Sequence, residues 1–216
     1  MKHKNLLAAL SLLLLLAAGC DWRGIRGNGE IKTDSRAVGA FTRIDAGGFY
    51  EMEWHPGAPS CRITTDENLL SYIKTRVDGD MLKIDLEETI APTHGIKVAL
   101  TSPSLAGASL SGALRFDASS LGGATFALET SGASKVTLAG KVHRLLASLT
   151  GASKLHATDL VSEDVELSVT GAGRADVSAT NLLRAVITGA GKVNYSGHPK
   201  SVEKKITGAG KISPND

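Results

Sequence analysis

The chain has 216 residues, of which 42% are hydrophobic but only 4% aromatic, and its formal net charge is +2. So few aromatic rings argue against a stacking platform for bases or sugars. Both surplus positive charges, Lys2 and Lys4, fall within the first 19 residues; the rest balances 22 bases against 22 acids and gives no reason to expect nucleic acid.

Residues 1–19 pair that basic start with an apolar run from Leu6 to Ala18, the pattern of a secretory signal too short to span a bilayer. The ending Leu16-Ala17-Ala18-Gly19-Cys20 resembles a bacterial lipobox, although Ala17 stands where Leu is usual. It implies cleavage before Cys20 and a diacylglycerol on the Cys20 thiol, hence a membrane partner through an N-terminal lipid. Asp21 resembles the signal that keeps a lipoprotein at the periplasmic face of the inner membrane; the outer membrane or cell surface is the alternative. An acylated Cys20 leaves Cys61 without a disulfide partner. Cys61 sits in the alternating run Cys61-Arg62-Ile63-Thr64, where a buried small apolar side chain is expected.

Residues 20–37 are Gly- and Arg-rich without apolar periodicity and are expected to form a tether. From residue 38 short strands begin, near 41–45, 48–54, 61–65, 73–77, 81–86 and 95–100, with turns at Ala46-Gly47-Gly48, His55-Pro56-Gly57 and Asp78-Gly79-Asp80. Asp66-Glu67-Asn68-Leu69-Leu70 reads as a capped helical turn. Tyr50, Met52 and Trp54 share one strand face and are expected in a core or cap. Residues 38–105 are expected to form irregular first coils that cap a repeat array.

The array itself occupies 106–212. Ser/Thr-Gly-Ala recurs six times, with Gly at 112, 132, 151, 171, 189 and 208, spaced by 20, 19, 20, 18 and 19 residues. Around each Gly the residues alternate apolar and polar, as in Val165/Leu167/Val169 upstream and Val136 or Leu155 downstream, the period of strands with one buried face. A regular period below thirty residues marks a solenoid, and the strand period makes it a parallel β-helix with one repeat per coil. The Gly column is expected at a corner that needs positive φ or has no room for a Cβ. The Ala column is expected to point into the bend, and the Ser/Thr column to run as a ladder along one edge.

Several segments resemble the head GIN domain family. They are Phe41…Ile44, Gly48-Phe49-Tyr50-Glu51-Met52, Asp66-Glu67-Asn68-Leu69-Leu70, Val77-Asp78-Gly79, Leu82-Lys83-Ile84 and the repeated Ser/Thr-Gly-Ala-Gly/Ser-Lys. The resemblance covers about 38–212. It implies an all-β fold, a right-handed parallel β-helix, and a place in the bacterial cell envelope; it carries over no catalytic residues.

One further column is a candidate site. Three residues after each Gly comes a base: Arg115, Lys135, Lys154, Arg174, Lys192 and Lys211. Stacked at the interstrand spacing, six cations would extend over roughly 24 Å. Such a strip suits an acidic glycan or envelope polymer; a solvated edge that discourages aggregation is the alternative. His156 and Asp176, expected on adjacent coils, offer a weaker acid/base pair for a polysaccharide-acting enzyme. No spacing suggests a metal, a cofactor or a nucleophile elbow. The expectation is therefore a non-catalytic envelope protein that adheres, binds or scaffolds, with a glycan, polymer or protein as partner and coil ends open to stacking.

Overall fold

A computed structural model describes residues 24–215. The signal, Cys20 and Asp21 lie outside the described residues. From residue 107 the chain winds as stacked coils: β10 (Gly107–Gly112), β11 (Arg115–Gly132), β12 (Lys135–Gly151), β13 (Lys154–Gly171), β14 (Arg174–Gly189), β15 (Lys192–Ser196), β16 (Ser201–Thr207) and β17 (Lys211–Pro214). Each pairs in parallel with its counterpart one coil away. This is the parallel β-helix that the repeat predicts.

The register explains the uneven repeat lengths. Between β11 and β12 the pairing runs from Ala118↔Leu138 to Leu121↔Gly140, so the first strand holds one residue more. Between β13 and β14 it slips twice, near Ala157/Val161 and Ser162/Asp164. Insertions and deletions thus fall at bulges in mid-strand, while the Gly corners stay aligned. Inside, alternate side chains form continuous apolar stacks, such as Phe116–Val136–Leu155–Ala175–Val193, all fully buried. Each large aliphatic member contributes about 1.5–3 kcal/mol by burial.

The corners behave as expected in one column and differently in the next. Every repeat Gly has φ between +96° and +117°. A Cβ there would lie 2.2–2.7 Å from the carbonyl oxygen of the preceding corner Gly. The Ala column does not point into the bend: Ala113, Ala133, Ala152, Ala172, Ala190 and Ala209 are exposed. The corner uses the N–H groups of Ala113, Ala133, Ala152, Ala172 and Ala190, as in Ala133 N–H to Gly112 O at 2.9 Å. The inward position is one residue later: the first coil seats buried Leu114 there, and the following coils narrow to Ser134, Ser153, Gly173 and Gly191. A Cβ on Gly191 would approach Val169 Cγ1 to 2.7 Å, so larger residues do not fit. The Ser/Thr column lies in register along one exposed edge, as expected.

The N-terminal part mixes coil and hairpin. β3 (Arg43–Gly48) and β4 (Glu51–Pro56) continue the solenoid, pairing in parallel with β10 and β11. β9 (Lys97–Ser102) stacks in parallel on β4, and β5 (Ser60–Asp66) then runs antiparallel to β9. On the other face β7 (Met81–Leu86) stacks on β3 and is closed by antiparallel β6 (Ile73–Asp78). Tyr50, Met52 and Trp54 are core, and the Trp54 indole N–H donates to Ser102 Oγ at 2.9 Å. Cys61 is fully buried, and burial pushes its thiol up to about 11.

The tether expectation fails over 25–36. β2 (Ile31–Arg36) pairs antiparallel with β5, and β1 (Ile25–Arg26) pairs with β8 (Ile90–Ala91). Beyond this pairing, Arg36 donates to Leu70 O and Ile73 O, and Asp66 ties Gly29 to Thr93. Burial works against ionisation of Asp66, yet the Thr93 N–H, Thr93 hydroxyl and Gly29 N–H, at 2.7–2.8 Å, hold the carboxyl below its ordinary range. Gly27 packs so closely that a Cβ there would meet this carboxyl at 2.3–2.4 Å. Asp66 therefore does not cap the helical turn that follows, a 3-10 helix over Glu67–Tyr72.

Candidate functional site

Each base in the candidate column is the first residue of a strand, launched by the corner before it. Its own backbone N–H is fixed to the preceding coil: Lys135 to Leu114 O, Lys154 to Ser134 O, Arg174 to Ser153 O, Lys192 to Gly173 O and Lys211 to Gly191 O, all at 2.7–3.0 Å. The corner thus sets the register, and the register sets the column. Arg115, Lys135, Lys154, Arg174, Lys192 and Lys211 pair consecutively and are all exposed. The structure brings all six together.

A second row lies beside it, two residues along each strand: Asp117, Thr137, His156, Asp176, Asn194 and Ser213, of which Asp176 and Asn194 are buried. It neutralises the two arginines. Arg115 Nε lies 2.9 Å from Asp117 Oδ2, and this hydrogen bond raises the guanidinium above its ordinary range. Arg174 Nε lies 3.2 Å from Asp176 Oδ2. Among the described residues, Lys135, Lys154, Lys192 and Lys211 form no ion pair within 4.0 Å. The free charge therefore comes as two lysine doublets, separated by the Arg174–Asp176 pair.

Two members of the row escape the repeat motif. Glu51 pairs with Arg115, and Lys97 with Glu51, so the row continues past the first repeat with one acid and one further base. The signal for Glu51 is a corner without the full motif: Gly48 has φ +139°, pairs with Gly112, and precedes Glu51 by three residues.

His156 and Asp176 do meet, with Nδ1 3.4 Å from Oδ2. The carboxylate is already engaged, accepting from Asn194 Nδ2 at 2.5 Å and from Arg174. Burial works against ionisation of Asp176, but these bonds and the neighbouring charges hold its pKa below the ordinary value. A carboxylate so held is poorly suited to take up a proton near neutral pH. Among the described residues no group of three or more His, Cys, Asp or Glu is placed to hold a metal ion. No helix among them is long and apolar enough to cross a membrane.

A family profile described as "Putative auto-transporter adhesin, head GIN domain" matches residues 40–199. The chain belongs to that family. The match takes in β3 to β15 and five of the six bases, leaving Lys211 outside. Solved structures agree on the architecture of the head GIN domain. A protein from Bacteroides fragilis NCTC 9343, described as a putative adhesin, superposes with a TM-score of 0.73 at 21% identity, over 89% of this chain and 100% of that one. A protein from Parabacteroides distasonis ATCC 8503, described as a putative lipid binding protein, gives 0.54 at 21% identity, over 90% and 100%. At such identity the likeness is one of fold. No curated protein matches the chain.

Proposed function

We propose that this head GIN domain is a lipid-anchored, non-catalytic binding protein of the bacterial cell envelope, attached through Cys20, whose basic row holds an acidic glycan or envelope polymer. The observation that carries the reading is the in-register row of six bases in which the four lysines have no acid partner within reach among the described residues. Neighbouring like charges at coil spacing repel by about 1 kcal/mol even in water. A bound polyanion relieves that repulsion, and its salt sensitivity is the signature. The family description supports adhesion, and the signal over residues 1–19, followed by Cys20, supports the anchor. Asp21 supports the periplasmic face of the inner membrane.

The test is retention of the protein on arrays of acidic and neutral glycans and envelope polymers at low and moderate salt. Salt-sensitive retention of an acidic class, weakened roughly tenfold to hundredfold by Lys→Ala at Lys135, Lys154 and Lys192 together, is the expected result. Retention that ignores both salt and these lysines would sink the proposal. The anchor is tested separately, by membrane fractionation and acyl labelling of Cys20→Ser.

A further inference from the structure

The basic row does not stop at Lys97. From β9 the in-register partners continue to Thr64 on β5 and Thr33 on β2, and the second row continues from Asp117 through Glu53 and Ala99 to Arg62. Here the pairing changes from parallel to antiparallel, at the β9–β5 step. The outward face is no longer open there: it forms a cleft of about 480 Å³, with Glu51, Glu53, Asp117, Arg62, Lys97, Thr33 and Thr64 among its walls. That volume lies within the usual range of small-ligand sites, about 300–1,000 Å³.

Its chemistry differs from the row it terminates. Asp117 is already bonded to Arg115, and Glu51 and Glu53 balance Arg62 and Lys97, so the cleft carries no surplus positive charge and an anionic group is less welcome here than over the lysine doublets. The apolar neighbours Met52 and Val98 point inward and are buried, and no aromatic ring lines the space. What remains is a dense alternation of acceptors and donors. Glu51, Glu53, Arg62 and Lys97 form no ion pair within 4.0 Å among the described residues, and the Thr33 and Thr64 hydroxyls lie 2.8 Å apart. Carboxylates accept from hydroxyls while guanidinium, ammonium and threonine groups donate to them. Such a lining suits a neutral polyol unit better than an apolar side chain or a phosphate.

Resting on the reading of the row as a polyanion site, we propose that this cleft is a subsite for an uncharged terminal sugar of an acidic glycan. Its hydroxyls are held by Glu51, Glu53, Arg62, Lys97 and Thr64. The acidic substituents of the following units then lie over Lys135 and Lys154. The protein reads a chain end with a polarity, neutral unit first and charged units after it. The two parts of the site contribute differently: the cleft gives affinity that survives salt, and the row gives affinity that salt removes.

The test uses the full chain and fluorescently tagged oligosaccharides of defined length: neutral gluco- and manno-oligosaccharides, and uronate oligosaccharides with and without a neutral end unit. Binding is read at low and moderate salt for the wild type, for Glu53→Gln with Arg62→Ala, and for the triple lysine variant; far-UV circular dichroism verifies folding. All five altered side chains are exposed. The expected result is that a neutral end unit improves uronate binding at least fivefold. The cleft variant loses that gain at both salt concentrations, and the lysine variant keeps the gain while losing the salt-sensitive part. If the end unit brings no gain, or the cleft variant retains it, the cleft is not a subsite, whereas the response of the lysine variant judges the row by itself. If no saccharide binds at either salt concentration, both readings fall.

Discussion

The carbonyl oxygen of Gly132 lies 2.5 Å from the point where a Cβ on Gly151 would stand, and Gly151 holds φ at +96°. The same relationship recurs up the corner, so the column of glycines is a column of close backbone approaches that keeps the coils in register. Gly151→Ala therefore meets two penalties, an unfavourable backbone conformation of about 1–3 kcal/mol and a clash with a carbonyl that cannot move without breaking a coil-to-coil hydrogen bond. Gly122 is the control, because a Cβ there meets nothing within 4 Å. Thermal denaturation should show a fall of several degrees for Gly151→Ala and almost no change for Gly122→Ala.

Asp66 supplies a pH dependence whose sign is fixed. Its folded pKa is depressed by the Thr93 and Gly29 donors despite burial, so its contribution is present above the ordinary carboxyl range. That contribution is lost as pH falls through the folded value, below about 4. Asp66→Ala removes part-buried hydrogen bonds from Gly29 and Thr93 to a charged acceptor, at about 1.5–3 kcal/mol. The wild type should lose melting temperature on acidification from about pH 5 to pH 2, with 25–36 becoming protease-sensitive first. Asp66→Ala should show that sensitivity already at neutral pH and a flatter acid slope. An unchanged slope would show that Asp66 is not the latch.

Asp176 gives a prediction of opposite sign to the lysines. Asp176→Asn removes the acid that neutralises Arg174 and leaves the row more positive. Affinity for an acidic glycan should rise roughly twofold to fivefold, the equivalent of about 0.5–1 kcal/mol, and the gain should vanish at high salt. If Asp176 instead served as a catalytic group, the same change would abolish release of reducing ends.

Lys204 stands in register with buried Ala185 but is itself exposed, like the rest of β16. It curls over the last described coil, with Nζ 3.3 Å from the Tyr195 hydroxyl and 4.9 Å from that ring's centroid. Val202 and Ile206 beside it are 36% and 42% exposed. Lys204→Leu would join them into one apolar strip on an edge strand. Light scattering should then show concentration-dependent association that the wild type lacks.

The fold was legible because one Gly per coil is a backbone necessity, and a backbone necessity repeats without regard to the surface. The Ala column was misread for a related reason. Its constancy looked like packing, whereas the inward site is the next one, which takes Leu114 in the first coil and only Ser134, Ser153, Gly173 and Gly191 in the coils that follow. Residues 25–36 looked like a tether because their side chains are mostly exposed; they are held by backbone pairing and by Asp66, 37 residues beyond Gly29, which leave no apolar period. The bases of the row were legible one by one. That two arginines are neutralised within their own coils, and that Glu51 and Lys97 extend the row into a cleft, follows only from register.

Affinity for a uronate polymer, measured against salt concentration for the wild type and for the variant with Lys135, Lys154 and Lys192 changed to Ala, tests the central claim most directly. The account predicts that the logarithm of the wild-type affinity falls steeply as salt rises, and that the variant starts lower and falls with a clearly shallower slope. Equal slopes and equal affinities for the two proteins would contradict it, and the row would then be a solvated edge of the solenoid.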